Sequence, residues 1–214
     1  MKIVFATGNI HKLKEINEIA KGSNIEFILP PAGFAPIETG KTFEENSLIK
    51  AREAAKLSNS ISLADDSGLC VEALNGEPGI YSARYAETPQ ARIDKLLNNL
   101  ADEGNRKAKF VCAMTLVDEF GNILDSEIGE CHGKIALTQS GTNGFGYDPV
   151  FLVDGYDITM AEMSEEQKNT ISHRSNSLRK ILEFIKSNMQ KWNRNRVKYE
   201  EKNTVYYNNS FSAN

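Results

Sequence analysis

Cysteine is scarce in this chain: only Cys70, Cys112 and Cys131 occur among 214 residues. An odd count with no C-x-x-C pair argues against a disulfide framework and against a cysteine zinc site. Cys112 lies in an apolar run and reads as a small core residue. Histidine is equally sparse, and His11, His132 and His173 show no H-E-x-x-H type of spacing. No serine stands in a G-x-S-x-G context, so the common signatures of zinc and serine hydrolases are both missing. Long hydrophobic runs are absent too, since none approaches the roughly 18 residues of a membrane span. Met1 to Phe5 leads directly into a strand pattern without a signal-peptide core, which makes a cytoplasmic location the expectation. Finally, there is no strong excess of one charge: 25 Lys and Arg face 29 Asp and Glu, a net charge of −4. That balance disfavours a nucleic-acid coat or a membrane-surface protein.

What the chain has is enough apolar residue, 40% of the total, to fold without staples. Its length favours one large domain with room for two lobes, able to bury about 70% of its unfolded surface. Charge is uneven along it: residues 189–214 carry five basic residues against Glu200 and Glu201, while the rest is acidic. The apolar period also fades after Asn188, so a domain over residues 1–188 and a loosely ordered polar tail over 189–214 are expected.

Ile3 to Ala6 reads as a strand, Thr7-Gly8-Asn9 as a turn, and His11 to Lys21 as a helix with Leu13, Ile16, Ile19 and Ala20 at helical spacing. Ile25 to Leu29 is a second strand. Thr42-x-x-Glu45 is a capping box opening an alanine-rich helix to about Ser58. Ile61 to Ala64 predicts a strand that stops at the polar Asp65-Asp66-Ser67-Gly68. Pro89 starts a helix carrying Ile93, Leu96, Leu97 and Leu100. Lys109 to Val117 and Ile123 to Ile128 predict an antiparallel pair across Glu119-Phe120-Gly121-Asn122. Ser164-x-x-Gln167 is a second capping box, and a last helix from about Ser172 carries Leu178, Ile181, Leu182 and Ile185 on one face. The pattern is α/β with a mixed sheet.

Four segments could carry chemistry. Thr7-Gly8-Asn9-Ile10-His11-Lys12 sits at a strand-to-helix turn, where free N–H groups and the positive helix end can hold phosphate, with Lys12 adding charge; it reads equally as a capped turn with a solvated lysine. Asp65-Asp66 follows a strand, where ligand sites of α/β sheets gather. Successive strand residues face opposite ways, so one carboxylate alone enters a site unless the chain bends; there it can bind Mg²⁺ or orient a water, or the pair simply opens a turn. Glu38, in the preceding loop, is the better second metal candidate because Glu45 belongs to its cap. Lys50 lies one turn beyond Asn46, placed for phosphate or for a solvated face. Lys168 and His173 are about 500° apart on a continuous helix, but Ser172 as an N-cap breaks it, letting Lys168, His173 and Arg174 converge on an anion or a carbonyl-bearing base, or form an exposed basic patch. Gly144-Phe145-Gly146-Tyr147-Asp148-Pro149 allows close backbone approach, and Phe145 can stack on a flat ring, or anchor a turn.

Together, in order and spacing, these segments resemble the inosine/xanthosine triphosphate pyrophosphatases over nearly all of residues 1–188. The resemblance rests on Thr7-Gly8-Asn9 with Lys12, Glu38-Thr39-Gly40, Phe43-Glu44-Glu45-Asn46 with Lys50, Ala64 to Leu69, Pro78 to Tyr85, Gly144 to Pro149, and Lys168 with Ser172-His173-Arg174. It implies an α/β fold whose long mixed sheet, flanked by helices, spans two lobes around a central nucleotide-binding cleft. It further implies Mg²⁺-dependent hydrolysis of ITP, dITP and XTP to the monophosphate and pyrophosphate by a homodimer. Carried over, Asp66 is the proton acceptor and metal-associated carboxylate, with Glu38 also near the metal. Thr7, Gly8, Asn9, Lys12, Lys50 and Ser67 hold phosphates, while Phe145, Gly146, Tyr147, Asp148, Lys168, His173 and Arg174 form the base pocket.

Asn143 departs from the glycine common at that position in the family, where a left-handed conformation suits Gly better. Three rivals stay open: a related Maf-like pyrophosphatase for pyrimidine or modified nucleotides, which the Lys168 and Ser172-His173-Arg174 ending disfavours; a nucleotide sensor without turnover; and an RNA-binding protein using the basic tail.

Overall fold

The computed structural model describes residues 1–188, so the expected tail lies outside the described residues. Met1–Ile181 form one compact unit and a second begins at Leu182. The elements are β1 (Lys2–Phe5), α1 (Ile10–Ile19), β2 (Glu26–Ile28), α2 (Phe43–Ser58), β3 (Ser62–Val71), α3 (Pro89–Asn99), β4 (Lys107–Val117), β5 (Ile123–Ile135), β6 (Phe151–Val153) and α4 (Glu165–Ile171). A last helix, α5, starts at residue 173 and residues 182–188 are also helical. Six strands make one sheet in the order β2-β1-β3-β4-β5-β6. β1 runs parallel to β2 and β3, and β3 to β6 alternate antiparallel.

Most local signals act as expected. Asn9 caps α1, its Oδ1 accepting from the backbone N–H of His11 at 2.9 Å. Pro89 stands at the start of α3 behind the Thr88 cap, and Ser164 with Gln167 forms a complete capping box on α4. Ser172 ends α4 and caps α5, its Oγ accepting from Ser175 N at 3.1 Å. At α2 the box is half formed: Thr42 Oγ1 accepts from Glu45 N, but the Glu45 carboxylate takes the Lys41 N–H at 2.6 Å instead of that of Thr42.

β3 is the main difference from the expected pattern. It does not stop at Asp65 but runs through Asp65-Asp66-Ser67-Gly68 to Val71, paired with β4 from Ser62↔Val117 to Val71↔Ala108. Polar side chains do not end a central strand when the ladder bonds its backbone and neighbouring groups satisfy the side chains. The β4–β5 hairpin is likewise longer than its apolar run, because pairing continues to Lys107↔Lys134.

One core joins Leu69, Val71, Phe110 and Phe151 of the sheet to Ile93, Leu96 and Leu100 of the α3 region. On another, Ala51, Ala54 and Ala55 of α2 meet Val4, Ala64 and Val117, small side chains that let the helix lie close to the strands. Gly129 does the same for α5: a Cβ there would overlap His173 O and Ser177 N. These close approaches bring α2 and α5 to the middle of β3, where the two aspartates lie. Asn143 is not left-handed; Gly144 (φ +72°) and Gly146 (φ +66°) hold those conformations. Asn143 instead donates from Nδ2 to Met163 O at 2.9 Å. Cys112 is fully buried, and all three cysteines are free.

Candidate active site

Strand alternation sends Asp65 and Asp66 to different partners. Asp65, 1% exposed, accepts from Lys12 Nζ at 2.9–3.0 Å, Ser67 Oγ at 2.9 Å, and Arg174 Nε and Nη2 at 3.2 and 2.9 Å. Burial alone would raise its pKa, but Lys12, Arg174 and Lys50 outweigh burial and hold the carboxyl far below the usual range. Arg174 also reaches Glu15 of α1 at 2.8 Å. The neighbouring Asp66 accepts from Lys50 Nζ at 2.6 Å and Asn46 Nδ2 at 3.3 Å, so Lys50 and Asn46, one turn apart on α2, converge on it. Burial pushes Asp66 above its ordinary value; Lys50 opposes and Glu38 adds to the rise.

Lys50 is buried rather than on a solvated face. Its ammonium joins Asp66 to Glu38, whose Oε1 lies 2.9 Å away. Burial would raise the Glu38 carboxyl, yet Lys50 and Arg84 bring it below its ordinary value. Two carboxylates thus share one cation position, an oxygen donor pair suited to a hard divalent ion. Among the described residues no group of three or more His, Cys, Asp or Glu side chains forms a metal cage.

The turn before α1 is open beside this network. Gly8 has no positive φ, and a Cβ there would meet nothing within 4 Å; the fold itself does not demand glycine. Thr7 Oγ1 accepts from Asn9 N at 3.0 Å, fixing the turn, and Asn9 caps the helix that carries Lys12.

Lys168, His173 and Arg174 are all buried, so they form no exposed basic patch. Lys168 Nζ is 2.6 Å from Asp148 Oδ2, which also accepts from Phe145 N at 2.9 Å. Burial raises the Asp148 carboxyl against the pull of Lys168. The Phe145 ring has Lys168 Nζ at 4.9 Å, Arg174 Cζ at 5.7 Å and the His11 ring at 6.0 Å. His173 stacks on Phe110 (4.8 Å, 14°), and its Nδ1 is buried with no hydrogen-bond partner. Burial, then Arg174 and Lys168, hold its pKa well below 6.5, so it is neutral. A cleft of about 110 Å³ opens here between α1, the 143–145 loop and α4, lined by His11, Glu15, Phe145 and Lys168 among others.

Tyr147 stands apart. Its ring is buried in the core and its hydroxyl donates to Ser82 O at 3.0 Å, while Gly146 faces open space. Sequence reasoning did not single out Glu15, Asp65 as a hub of cations, or Arg84. Helical spacing from Lys12 gives no hint that Glu15 meets an arginine 159 residues away.

A mixed α/β sheet whose central strand presents a carboxylate to a shared cation, beside an open helix start and an aromatic cleft, defines a class of protein built to receive a phosphorylated, ring-bearing ligand. Within that class, the chain belongs to the Ham1 family, which it matches over residues 3–184. It is 45% identical to the dITP/XTP pyrophosphatase of Prochlorococcus marinus (strain NATL1A) over 184 residues, covering 86% of this chain and 93% of that one. With the enzyme of the same name from Treponema denticola it is 44% identical, covering 87% of this chain and 99% of the relative. The Staphylococcus aureus Ham1 protein structure superposes with a TM-score of 0.78 at 42% identity, over 87% and 99% of the two chains.

Proposed function

We propose that this protein is a nucleoside triphosphate pyrophosphatase that hydrolyses non-standard purine nucleotides, ITP, dITP and XTP, to the monophosphate and pyrophosphate. The domain responsible spans residues 1–188, and the enzyme acts with Mg²⁺, as a homodimer, in the cytoplasm. No described helix is long and apolar enough to cross a membrane. The observation that carries the reading is the Glu38–Lys50–Asp66 arrangement at 2.9 and 2.6 Å, next to the open Thr7 to Lys12 turn.

Water attacks the α-phosphorus, a P–O bond to it forms, and the bond from that phosphorus to the pyrophosphate oxygen breaks. Of the two adjacent carboxylates, Asp66 suits the water's proton. Its pKa is raised, whereas Asp65 is held far down and saturated by Lys12, Arg174 and Ser67. A positioned base of this kind contributes about 10²–10⁴-fold. Lys12, Lys50, Ser67 and the Gly8 N–H would hold the phosphates and spread the developing charge. Glu38 and Asp66 would hold Mg²⁺, which when bound neutralises charge on the phosphates and lowers the pKa of bound water.

Phe145 offers the ring face, and Gly146 and Asp148 shape the loop around it. Lys168 and His173 would offer donors to a 6-oxo group, and Arg174, whose guanidinium is held by Asp65 and Glu15, would back the pocket. The neutral His173, with its unpartnered ring nitrogen, and Lys168 would discriminate against adenine, whose 6-amino group would leave a buried donor unpaired. Tyr147 anchors the loop from behind.

The test is pyrophosphate release from ITP, XTP, dITP, GTP, ATP and TTP, with Mg²⁺ and with EDTA, and with Asp66→Asn as control. Fast Mg²⁺-dependent cleavage of ITP and XTP and a dead variant are expected. Preference for TTP would move the protein to the Maf-like reading, and no cleavage at all would leave a nucleotide-binding module.

A further inference from the structure

Arg84 belongs to the Pro78 to Tyr85 motif, which has no role so far. It ends a short 3-10 turn, Gly79–Arg84, bolted down on two sides. Ser82 Oγ accepts from Leu69 N of β3 at 2.9 Å and donates to Gly79 O at 2.7 Å. Ser82 O accepts from Tyr147 of the aromatic loop. Gly68 leaves no room between strand and turn, since a Cβ there would overlap Gly79 O. The backbone that presents Arg84 is therefore fixed.

The side chain is free by comparison. It is 48% exposed, flanked by the Tyr81 ring at 5.3 Å, and donates one hydrogen bond, from Nη1 to Glu38 Oε2 at 3.2 Å. Lys50 occupies the other oxygen of the same carboxylate. Two cations are thus parked on a carboxylate at the open end of the site, and the guanidinium has most of its fork unspent. A planar fork of N–H donors matches the paired oxygens of a phosphoanhydride better than a single exposed carboxylate bond does.

We propose that Arg84 is a substrate-contacting residue for the pyrophosphate end of the triphosphate, waiting on Glu38 and swinging to the β- and γ-phosphates when they arrive. This deepens the pyrophosphatase reading and rests on it for the identity of the anion. Transfer of Arg84 also frees Glu38 Oε2, coupling arrival of the phosphates to release of the carboxylate.

The test is calorimetric binding of inorganic pyrophosphate and, separately, inosine monophosphate to the full-length protein in EDTA, alongside ITP turnover with Mg²⁺. Arg84→Gln is expected to weaken pyrophosphate binding about tenfold to a hundredfold, as for one lost charge-assisted contact. Monophosphate binding should stay within about twofold and the melting temperature nearly constant, because an exposed ion pair contributes little stability. Unchanged pyrophosphate affinity overturns the proposal; equal weakening of both ligands with a lowered melting temperature does so too, by making Arg84 structural. If Arg84→Gln does not fold, Arg84→Met keeps the length without the charge, and wild-type pyrophosphate binding by it overturns the contact. A wild type that binds pyrophosphate through Arg84 yet cleaves no ITP refutes the pyrophosphatase reading alone.

Discussion

Asp65→Asn and Asp66→Asn change neighbouring residues by the same atoms and should do opposite things. Asp65 is the shared anion of Lys12 and Arg174, with Arg174 itself 1% exposed. Neutralising Asp65 leaves buried positive charge short of one partner, because Glu15 alone then faces Arg174. Breaking a buried pair in this way costs about 3–5 kcal/mol. At about 2–4 °C per kcal/mol for a chain of this size, the melting temperature should fall by roughly 6–20 °C. Asp66 sits in a site that already raises its pKa, and Lys50 keeps Glu38 as a partner after the change. Asp66→Asn should therefore lower the melting temperature less than Asp65→Asn does while turnover falls about 10²–10⁴-fold.

The pH dependence adds a second check. A carboxyl whose folded pKa is depressed contributes stability above its unfolded value, near 4, and loses that contribution as pH falls further. The stability gap between wild type and Asp65→Asn should be full above about pH 5 and narrow below about pH 4. Thermal and urea denaturation across pH, with pyrophosphate release measured on the same preparations, separates the two roles. Equal melting temperatures for the two variants would refute the reasoning.

Gly8→Ala should leave stability within about 0.5 kcal/mol, since nothing lies near its Cβ, yet raise KM for ITP about tenfold or more if phosphate approaches this backbone closely; an unchanged KM would remove the turn from the phosphate site. Gly144→Ala, by contrast, combines φ +72° with a Cβ placed on the Asp148 carboxylate. It should cost more than about 2 kcal/mol in urea denaturation, and a neutral result would contradict the loop geometry. His173 is held neutral with its pKa well below 6.5, so protons bind preferentially to the unfolded chain. Its contribution is present above about pH 6.5 and is lost on acidification with a slope approaching about 1.4 kcal/mol per pH unit. Paired denaturation curves of wild type and His173→Gln should diverge in that slope below about pH 6.5, and parallel curves would disprove the buried neutral state.

Much of the molecule was legible from short stretches. The Asn9, Thr42, Ser164 and Ser172 caps, Pro89, and the apolar periods of α1, α2 and α3 act within a few residues, where spacing alone decides which groups meet. Strand alternation likewise required Asp65 and Asp66 to diverge. The continuation of β3 through four polar or small residues was not legible, because it depends on β4 supplying a full ladder some 40 to 55 positions on. Nor was the burial of Lys50 and Lys168, which read equally as solvated lysines until Asp66 and Asp148 stood beside them.

By itself, then, the sequence determined the local elements, the residue types able to bind phosphate and a base, and the family whose ordered motifs it carries. The tertiary structure decided which charges are shared. Arg174 finds Asp65 across 109 residues and Glu15 across 159, and Arg84 finds Glu38 across 46. Hydrogen bonding and side-chain period act over one turn or one ladder step, whereas the partner of a buried charge is set by which elements the topology packs together. Only there does the low local dielectric make the pairing compulsory.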